Sequence, residues 1–285
     1  MATLRGLVCN DDNAAAMDIL NPQWAHVEFY PGLWDYSNQP NCSWTIHLYE
    51  QKPSVDLLKQ AMRHSSYSGW WIVGGNEMDL KPNWNADQQA QLIHDQIRLV
   101  LKADPQARIV MECGTQYNPI WEMKSWFFRV WKRLSLNDRQ HIRALHTHYY
   151  AQAEIFKLEL AESGEHLTVR ERLAKRKPVY DPHDLSNIFK QDPIINYYSH
   201  VREGMDDLNL KGLKLFATEI GLAVTPYTEA NLALVAQYPK VIDAAMKAVG
   251  VQRWAYYIQR NRNDGYYGLQ EASGNNAIGQ TFASL

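Results

Sequence analysis

Eight apolar runs of strand length, separated by segments of helical periodicity, recur from one end of this chain to the other. They fall at about 4–9, 24–30, 43–49, 69–75, 108–113, 143–149, 213–218 and 251–258. Runs this short and continuous suit strands buried on both faces, as in a parallel sheet covered by helices. Helical patterns occupy roughly 12–20, 54–64, 86–103, 121–133, 193–208 and 228–248. Asn85, ahead of the Gln/Ile/Leu-periodic run that opens at Ala86, is placed as a helix start, and so is Thr228 ahead of Glu229. Strands alternating with helices pair in parallel, and eight such units within 285 residues predict an α/β fold, a single (β/α)8 TIM barrel over 1–285.

Two stretches depart from that rhythm. Residues 31–42 show no helix between the second and third runs. Residues 151–192, after the sixth run, hold no strand and are too long for an ordinary connection. With a charged segment from Glu162 to Lys177 followed by Pro178 and Pro182, this stretch is expected to be a partly helical insertion. It would serve as a lid or wall over the barrel mouth, or else as a solvated decoration.

Composition excludes several classes. With 46% hydrophobic and 21% charged residues the chain is globular, not disordered. Its 29 basic and 31 acidic residues leave a net charge of −2, so no basic excess argues for a nucleic-acid partner. No apolar run approaches the roughly 20 residues a membrane helix needs, so no membrane partner is expected. The N-terminus runs directly into a strand without the shape of a signal peptide, which fits a cytoplasmic chain or a secreted one whose leader is removed. Cys9, Cys42 and Cys113 match no zinc spacing and are too few for a disulfide framework; buried free thiols are expected. The 10 Trp and 16 Tyr against 7 Phe favour side chains that join a flat apolar face to a hydrogen-bonding edge. Sugar rings present the same mixture, though part of this load must be core.

Two runs end abruptly in a carboxylate: Trp70-Trp71-Ile72-Val73-Gly74-Gly75-Asn76-Glu77 and Leu213-Lys214-Leu215-Phe216-Ala217-Thr218-Glu219-Ile220-Gly221. A carboxylate at the end of a buried strand must be matched to its neighbours. A barrel would bring the ends of its fourth and seventh strands across one mouth, pairing Glu77 with Glu219 as glycosidic bond cleavage requires. Gly74 and Gly75 permit a tight turn and a close backbone approach, and the Asn76 amide could hold a hydroxyl beside Glu77. Gly221 would free the chain to turn behind Glu219. The flat faces of Trp70 or Trp71, together with Glu219, could raise the pKa of Glu77. The competing reading of each glutamate is a structural ion pair.

His146-Thr147-His148-Tyr149-Tyr150 closes the sixth run, with His146 and His148 on one side of the strand. A metal-dependent hydrolase built on these two is one reading, but zinc wants three or four ligands, and the only other strand-borne histidines are His26 and His47. Contact between His148 or Tyr150 and a catalytic carboxylate or sugar hydroxyl fits better; no metal and no cofactor are expected. Trp254 on the last run is placed as the floor under a sugar, with packing as its alternative. Trp34, Tyr117 and Asn118 fall on the same mouth as sugar contacts. Glu28 and Glu112 also lie on strands and rank lower, because nothing around them matches a motif.

Together these residues resemble the clan of retaining glycoside hydrolases with (β/α)8 barrels. In that clan the acid/base Glu follows an Asn at the end of strand 4, as Glu77 follows Asn76, and the nucleophile Glu ends strand 7, as Glu219 does. His146 and His148-Tyr149-Tyr150 are similar to the clan's sixth-strand feature, Trp254 to its eighth-strand Trp, and Gly265 to Gly274 to its closing hairpin before a last helix. The matches lie in about five short patches. Where many members carry an Arg on strand 2, this chain reads Ala25-His26-Val27-Glu28. The resemblance implies a carbohydrate substrate and a retaining, two-glutamate mechanism. The rivals are a carbohydrate- or protein-binding barrel that no longer cuts, and the metal-dependent hydrolase.

Overall fold

The computed structural model describes residues 3–9, 20–29, 42–63, 67–114, 120–150, 156–157, 177–178, 189–221, 229–257, 269–271 and 274–285. Eight parallel strands close a barrel: β1 (Leu4–Cys9), β2 (Trp24–Glu28), β3 (Ser43–His47), β4 (Tyr67–Val73), β5 (Arg108–Glu112), β6 (Ile142–Tyr150), β7 (Lys214–Gly221) and β8 (Arg253–Tyr257). Each strand pairs with its sequence neighbour, and β8 returns to pair with β1. All eight coincide with the runs read from the sequence, their ends differing by at most three residues.

Helices α1 (Val55–Met62), α2 (Ala86–Ala103), α3 (Ile120–Arg133), α4 (Leu136–His141), α5 (Gln191–Asp207), α6 (Glu229–Ala248) and α7 (Ala277–Ala283) are described between and after the strands. Asn85 starts α2 as expected: its side chain accepts from the Asp87 and Gln88 amides, and Gln88 reaches back to the Asn85 amide. Ser135 and Asp138 form the same reciprocal cap on α4, a helix too short to show as periodicity. Thr228, the helix expected near 12–20 except its last residue, and the helix-free stretch up to Asn41 lie outside the described residues. Of the 151–192 insertion, a two-residue antiparallel ladder (Phe156–Lys157 with Lys177–Pro178) and the start of α5 are described. A short ladder of Gln270–Glu271 with Gly274–Asn275 precedes α7.

Strand alternation sorts the core into two shells. Leu7, Val27, Ile46, Trp71, Val73, Met111, Leu145, Ala217 and Trp254 face outward and pack with the helices in one large cluster. Inside the barrel, Trp70, Ile72, Val110, Ala144 and Phe216 form a lower plug. Above that plug the interior turns polar: His26, His47, Glu112, His146, His148, Thr218 and Glu219 are all buried. Buried polar groups are costly unless hydrogen-bonded, and most of this layer is bonded to its own members or to main chain, although His146 Nε2 and His148 Nε2 have no partner among the described residues. The layer lies toward the C-terminal ends of the strands, the end where barrels of this type place their chemistry.

Candidate active site

Glu77 and Glu219 meet at that end. A carboxylate oxygen of each, together with a ring nitrogen of His148, lies within 4.8 Å of the others. His148 Nδ1 stands 3.0 Å from Glu77 Oε1 and 3.5 Å from Glu219 Oε2. Burial of His148 would lower its pKa, but Glu219, and then the hydrogen bond and charge of Glu77, outweigh that and raise it to about 9. Near neutral pH the ring is therefore an imidazolium that donates between two carboxylates. The Tyr150 hydroxyl donates to Glu219 Oε2 at 2.5 Å. The three donor atoms are close enough to reach one cation, but the imidazolium already supplies the positive charge between the two acids. His146, the other half of the metal reading, is not among them.

Local backbone explains how each glutamate arrives there. After β4 the chain passes through Gly74 (φ 103°) and Gly75 (φ 90°) and places Glu77 itself in the left-handed region (φ 54°, ψ 43°). A side chain at Gly75 would set its Cβ 2.2 Å from Met78 Sδ. Left-handed backbone costs a non-glycine residue roughly 1–2 kcal/mol, so something must hold Glu77 in it. Glu112, at the end of β5, does so by accepting from the Glu77 amide, from the Met78 amide at 3.4 Å and from Gln89 Nε2 at 3.0 Å. Gln89 Nε2 also donates to the Gly74 carbonyl at 2.9 Å, while Gln96 Oε1 accepts from the Gly74 amide at 2.8 Å. Burial, then the charge of Asp79, push the Glu112 carboxyl up; His148 and the Glu77 amide pull it down.

On β7 the device is a bulge. The register with β6 shifts between Thr147 and His148, and the register with β8 shifts between Trp254 and Tyr256. The extra residue lets neighbouring side chains of one strand serve the interior together. Thr218 Oγ1 meets His146 Nδ1 at 2.7 Å, and Glu219 rises to Tyr150 and His148. Gly221 is needed for packing: a Cβ there would lie 2.1 Å from the Tyr257 carbonyl oxygen, while the residues that would turn behind it lie outside the described ones.

The remaining sequence expectations divide. His148 and Tyr150 stand against the carboxylates and are almost fully buried. His146 is one layer deeper and fully buried, and burial with the nearby His148 charge pushes it well below the ordinary imidazole range. Asn76 is half-buried beside Glu77, and its Oδ1 has no hydrogen-bond partner among the described residues. Trp254 is a correction: it is wholly buried in the helix shell, its ring edge-on to Phe282 and its indole N–H donating to Asp243. Strand phase explains this, since Arg253 takes the inward position, over the Trp24, Trp70 and Phe216 rings. Tyr257 is the β8 aromatic at the mouth, edge-on to Tyr150 at 5.8 Å. Neither Trp70, in the lower plug, nor Trp71, in the helix shell, lies against Glu77. Trp34, Tyr117, Asn118 and the Glu28 side chain lie outside the described residues. Glu112, Gln89 and Gln96 are the supports that motif reading underrated; the signal for Glu112 was an apolar strand ending in a carboxylate, the same signal that marked Glu77.

No protein-family model matches the sequence, and no curated protein sequence matches it either. Solved structures do resemble it in fold. A GH128 (subgroup I) endo-beta-1,3-glucanase from Amycolatopsis mediterranei, in complex with laminaritriose, superposes with a TM-score of 0.62 at 12% identity over 99% of both chains. A GH128 (subgroup II) endo-beta-1,3-glucanase from Sorangium cellulosum gives 0.59 at 15% identity, over 99% of this chain and 98% of that one. A monomeric beta-xylosidase from Caulobacter crescentus CB15 gives 0.62 at 15% identity, covering 99% of this chain and 67% of the other. At such identities the likeness establishes the (β/α)8 barrel shared with these glycoside hydrolases.

Proposed function

We propose that the chain is a retaining glycoside hydrolase in which Glu219 is the nucleophile and Glu77 the acid/base. The observation that carries this reading is the approach of one carboxylate oxygen of Glu77, just beyond β4, to within 4.8 Å of one of Glu219, on β7. Retaining enzymes hold their carboxyl groups about 5–5.5 Å apart, whereas inverting enzymes leave about 6.5–9.5 Å for a water. In the first step Glu219 bonds to the anomeric carbon as the glycosidic C–O bond breaks, and Glu77 gives its proton to the departing oxygen. In the second step Glu77 takes a proton from water, whose oxygen displaces Glu219 from the sugar.

His148 gives this exchange an electrostatic rationale. The mechanism asks for the negative charge on Glu219 and a proton on Glu77 as the first step begins; after it, Glu219 is an ester and Glu77 is charged. The imidazolium faces both acids, so one carboxylate is always opposite the same cation and the net charge of the three groups does not change. Preorganised charge of this kind needs no rearrangement as the reaction proceeds. The half-buried Asn76 beside Glu77 would hold a sugar hydroxyl. The fold neighbours make β-1,3-glucan oligosaccharides the first substrates to try, with aryl β-glucosides and β-xylosides next.

The test is turnover on that panel by the wild type, Glu77→Ala and Glu219→Ala. The reading expects loss in both variants, with azide restoring Glu219→Ala to give a glycosyl azide of inverted configuration. Full activity in Glu219→Ala would overturn it, and sugar binding without turnover by the wild type would make the barrel a binding protein.

A further inference from the structure

Beneath the carboxylates, two histidines bridge the barrel. His26 on β2 places Nδ1 3.1 Å from the Thr218 carbonyl oxygen and Nε2 2.9 Å from His47 Nδ1. His47 on β3 places Nε2 2.8 Å from the Gly75 carbonyl oxygen. Both rings are fully buried. This chain of three contacts begins one residue before Glu219 and ends two residues before Glu77.

A count of protons constrains it. A carbonyl oxygen only accepts, so each end of the chain needs a ring N–H, and the central N···N contact needs one as well. Three contacts therefore call for three protons, while two neutral imidazoles carry two. A third would make the pair a buried cation. Two positive charges oppose that, the already charged His148 and Lys81, and the rings that face His47, His146 edge-on at 5.7 Å and Tyr49 stacked at 4.0 Å, bring no carboxylate to offset them. Burial, followed by the charge of His148, pushes His26 down to about 3; burial and the neighbouring His26 push His47 well below its ordinary range. With two protons, the arrangement that satisfies both carbonyls sets two lone pairs against each other at the centre. The arrangements that keep the central bond have both rings protonated on Nδ1, serving Thr218, or both on Nε2, serving Gly75.

We propose that His26 and His47 are a two-state tautomer relay in which the main chain beside Glu219 and the main chain beside Glu77 share a single hydrogen bond, one end gaining it as the other loses it. The two rings change tautomer together, because the central bond survives only when they match. Each state aims its N–H dipoles at one end of the chain, so the tautomer follows the negative charge. Charge on Glu219 favours protonation on Nδ1, and its transfer to Glu77 in the glycosyl-enzyme favours Nε2. These are positioning residues, and the direction of the change rests on the roles proposed above for the two glutamates; the matched pair does not.

The test begins on the resting protein without substrate. With 15N-labelled histidine, the ring nitrogen resonances of His26 and His47, assigned by their disappearance in His26→Gln and His47→Gln, should show two neutral rings, both protonated on Nδ1. Mismatched tautomers, or a third protonated nitrogen at neutral pH, would overturn the relay while leaving turnover by Glu77 and Glu219 untouched. Conversely, a protein without turnover can still show the matched pair. A kinetic arm reads the exchange itself. The side chain introduced by His47→Gln spans the same two partners with its amide nitrogen donating to the Gly75 carbonyl and its own carbonyl oxygen accepting from His26 Nε2, so the shared hydrogen bond is held at the Gly75 end and cannot switch. That variant should keep the wild-type melting temperature and KM but lose about tenfold in kcat, the worth of about one hydrogen bond. A kcat equal to wild type in a folded His47→Gln would refute the exchange.

Discussion

Replacing His148 by Gln tests the charge at the centre of the site without any assumption about substrate. The ring is 1% exposed and sits 3.0 Å from Glu77 and 3.5 Å from Glu219. Its pKa rises from 6.5 to about 9, a value that already contains the opposing effect of burial. At about 1.4 kcal/mol for each pH unit, that rise corresponds to about 3 kcal/mol of linked stability. Because the folded protein binds this proton more tightly than the unfolded chain does, the contribution is complete below pH 6.5. It is lost as pH climbs through about 9. The free energy of unfolding in urea, measured from pH 6 to pH 10 for wild type and His148→Gln, should therefore converge with rising pH by about 3 kcal/mol. Tyrosines, lysines and thiols titrate in both proteins and cancel in the difference. Glu112 does not cancel: the His148 charge holds its raised carboxyl down, so the variant lets it rise further and loses stability of its own as pH climbs, which makes about 3 kcal/mol the upper bound of the convergence. A difference that stays constant across this range would refute the imidazolium, and with it the constant-charge account of catalysis.

Three further substitutions probe the supports. Tyr150→Phe removes the donor to Glu219 Oε2; a hydrogen bond to a charged group is worth about 1.5–3 kcal/mol, so steady-state kinetics should show kcat about 10- to 100-fold lower with little change in KM. Glu112→Gln leaves one acceptor oxygen where two now serve the Glu77 and Met78 amides and Gln89. It should lower the urea-unfolding free energy by about 1–3 kcal/mol and reduce turnover through misplacement of Glu77. Gly75→Ala forces a Cβ toward Met78 Sδ at a φ of 90°; thermal melting should report a loss of about 1–3 kcal/mol.

The barrel was legible because a parallel strand buried on both faces is apolar throughout, and that continuity marks where strands lie. The same continuity hides which way each residue points. In Arg253-Trp254-Ala255-Tyr256-Tyr257 an apolar phase cannot be chosen by hydropathy, and Trp254 is the natural guess for an inward aromatic. The structure puts Arg253 inside instead, its guanidinium among the rings of Trp24, Trp70 and Phe216, and sends Trp254 to Phe282. Trp70 and Trp71 were ambiguous for the same reason. The two glutamates escaped the ambiguity because a carboxylate at the end of such a run has few places to go. Glu112 met that criterion too, but its partners are main-chain amides and a glutamine on α2, which leave no motif beside it in sequence.

The feature least visible in the sequence is the one on which the site depends most. In a regular strand Thr218 and Glu219 would face opposite sides of the barrel wall. Leu215 and Ala217 do pack outward, and Phe216 packs in the lower plug, so the alternation is intact up to that point. The bulge then admits Thr218 to His146 and Glu219 to Tyr150 and His148, and Ile220 returns to the outer shell. One unpaired residue thus converts a single inward position into two, a hydroxyl that anchors the layer below and a carboxylate that faces the mouth. A one-residue slip would exchange every later side chain between core and helix shell. The bulge cannot therefore drift, and the position of Glu219 is fixed by the packing of Ala217 and Ile220 on either side of it.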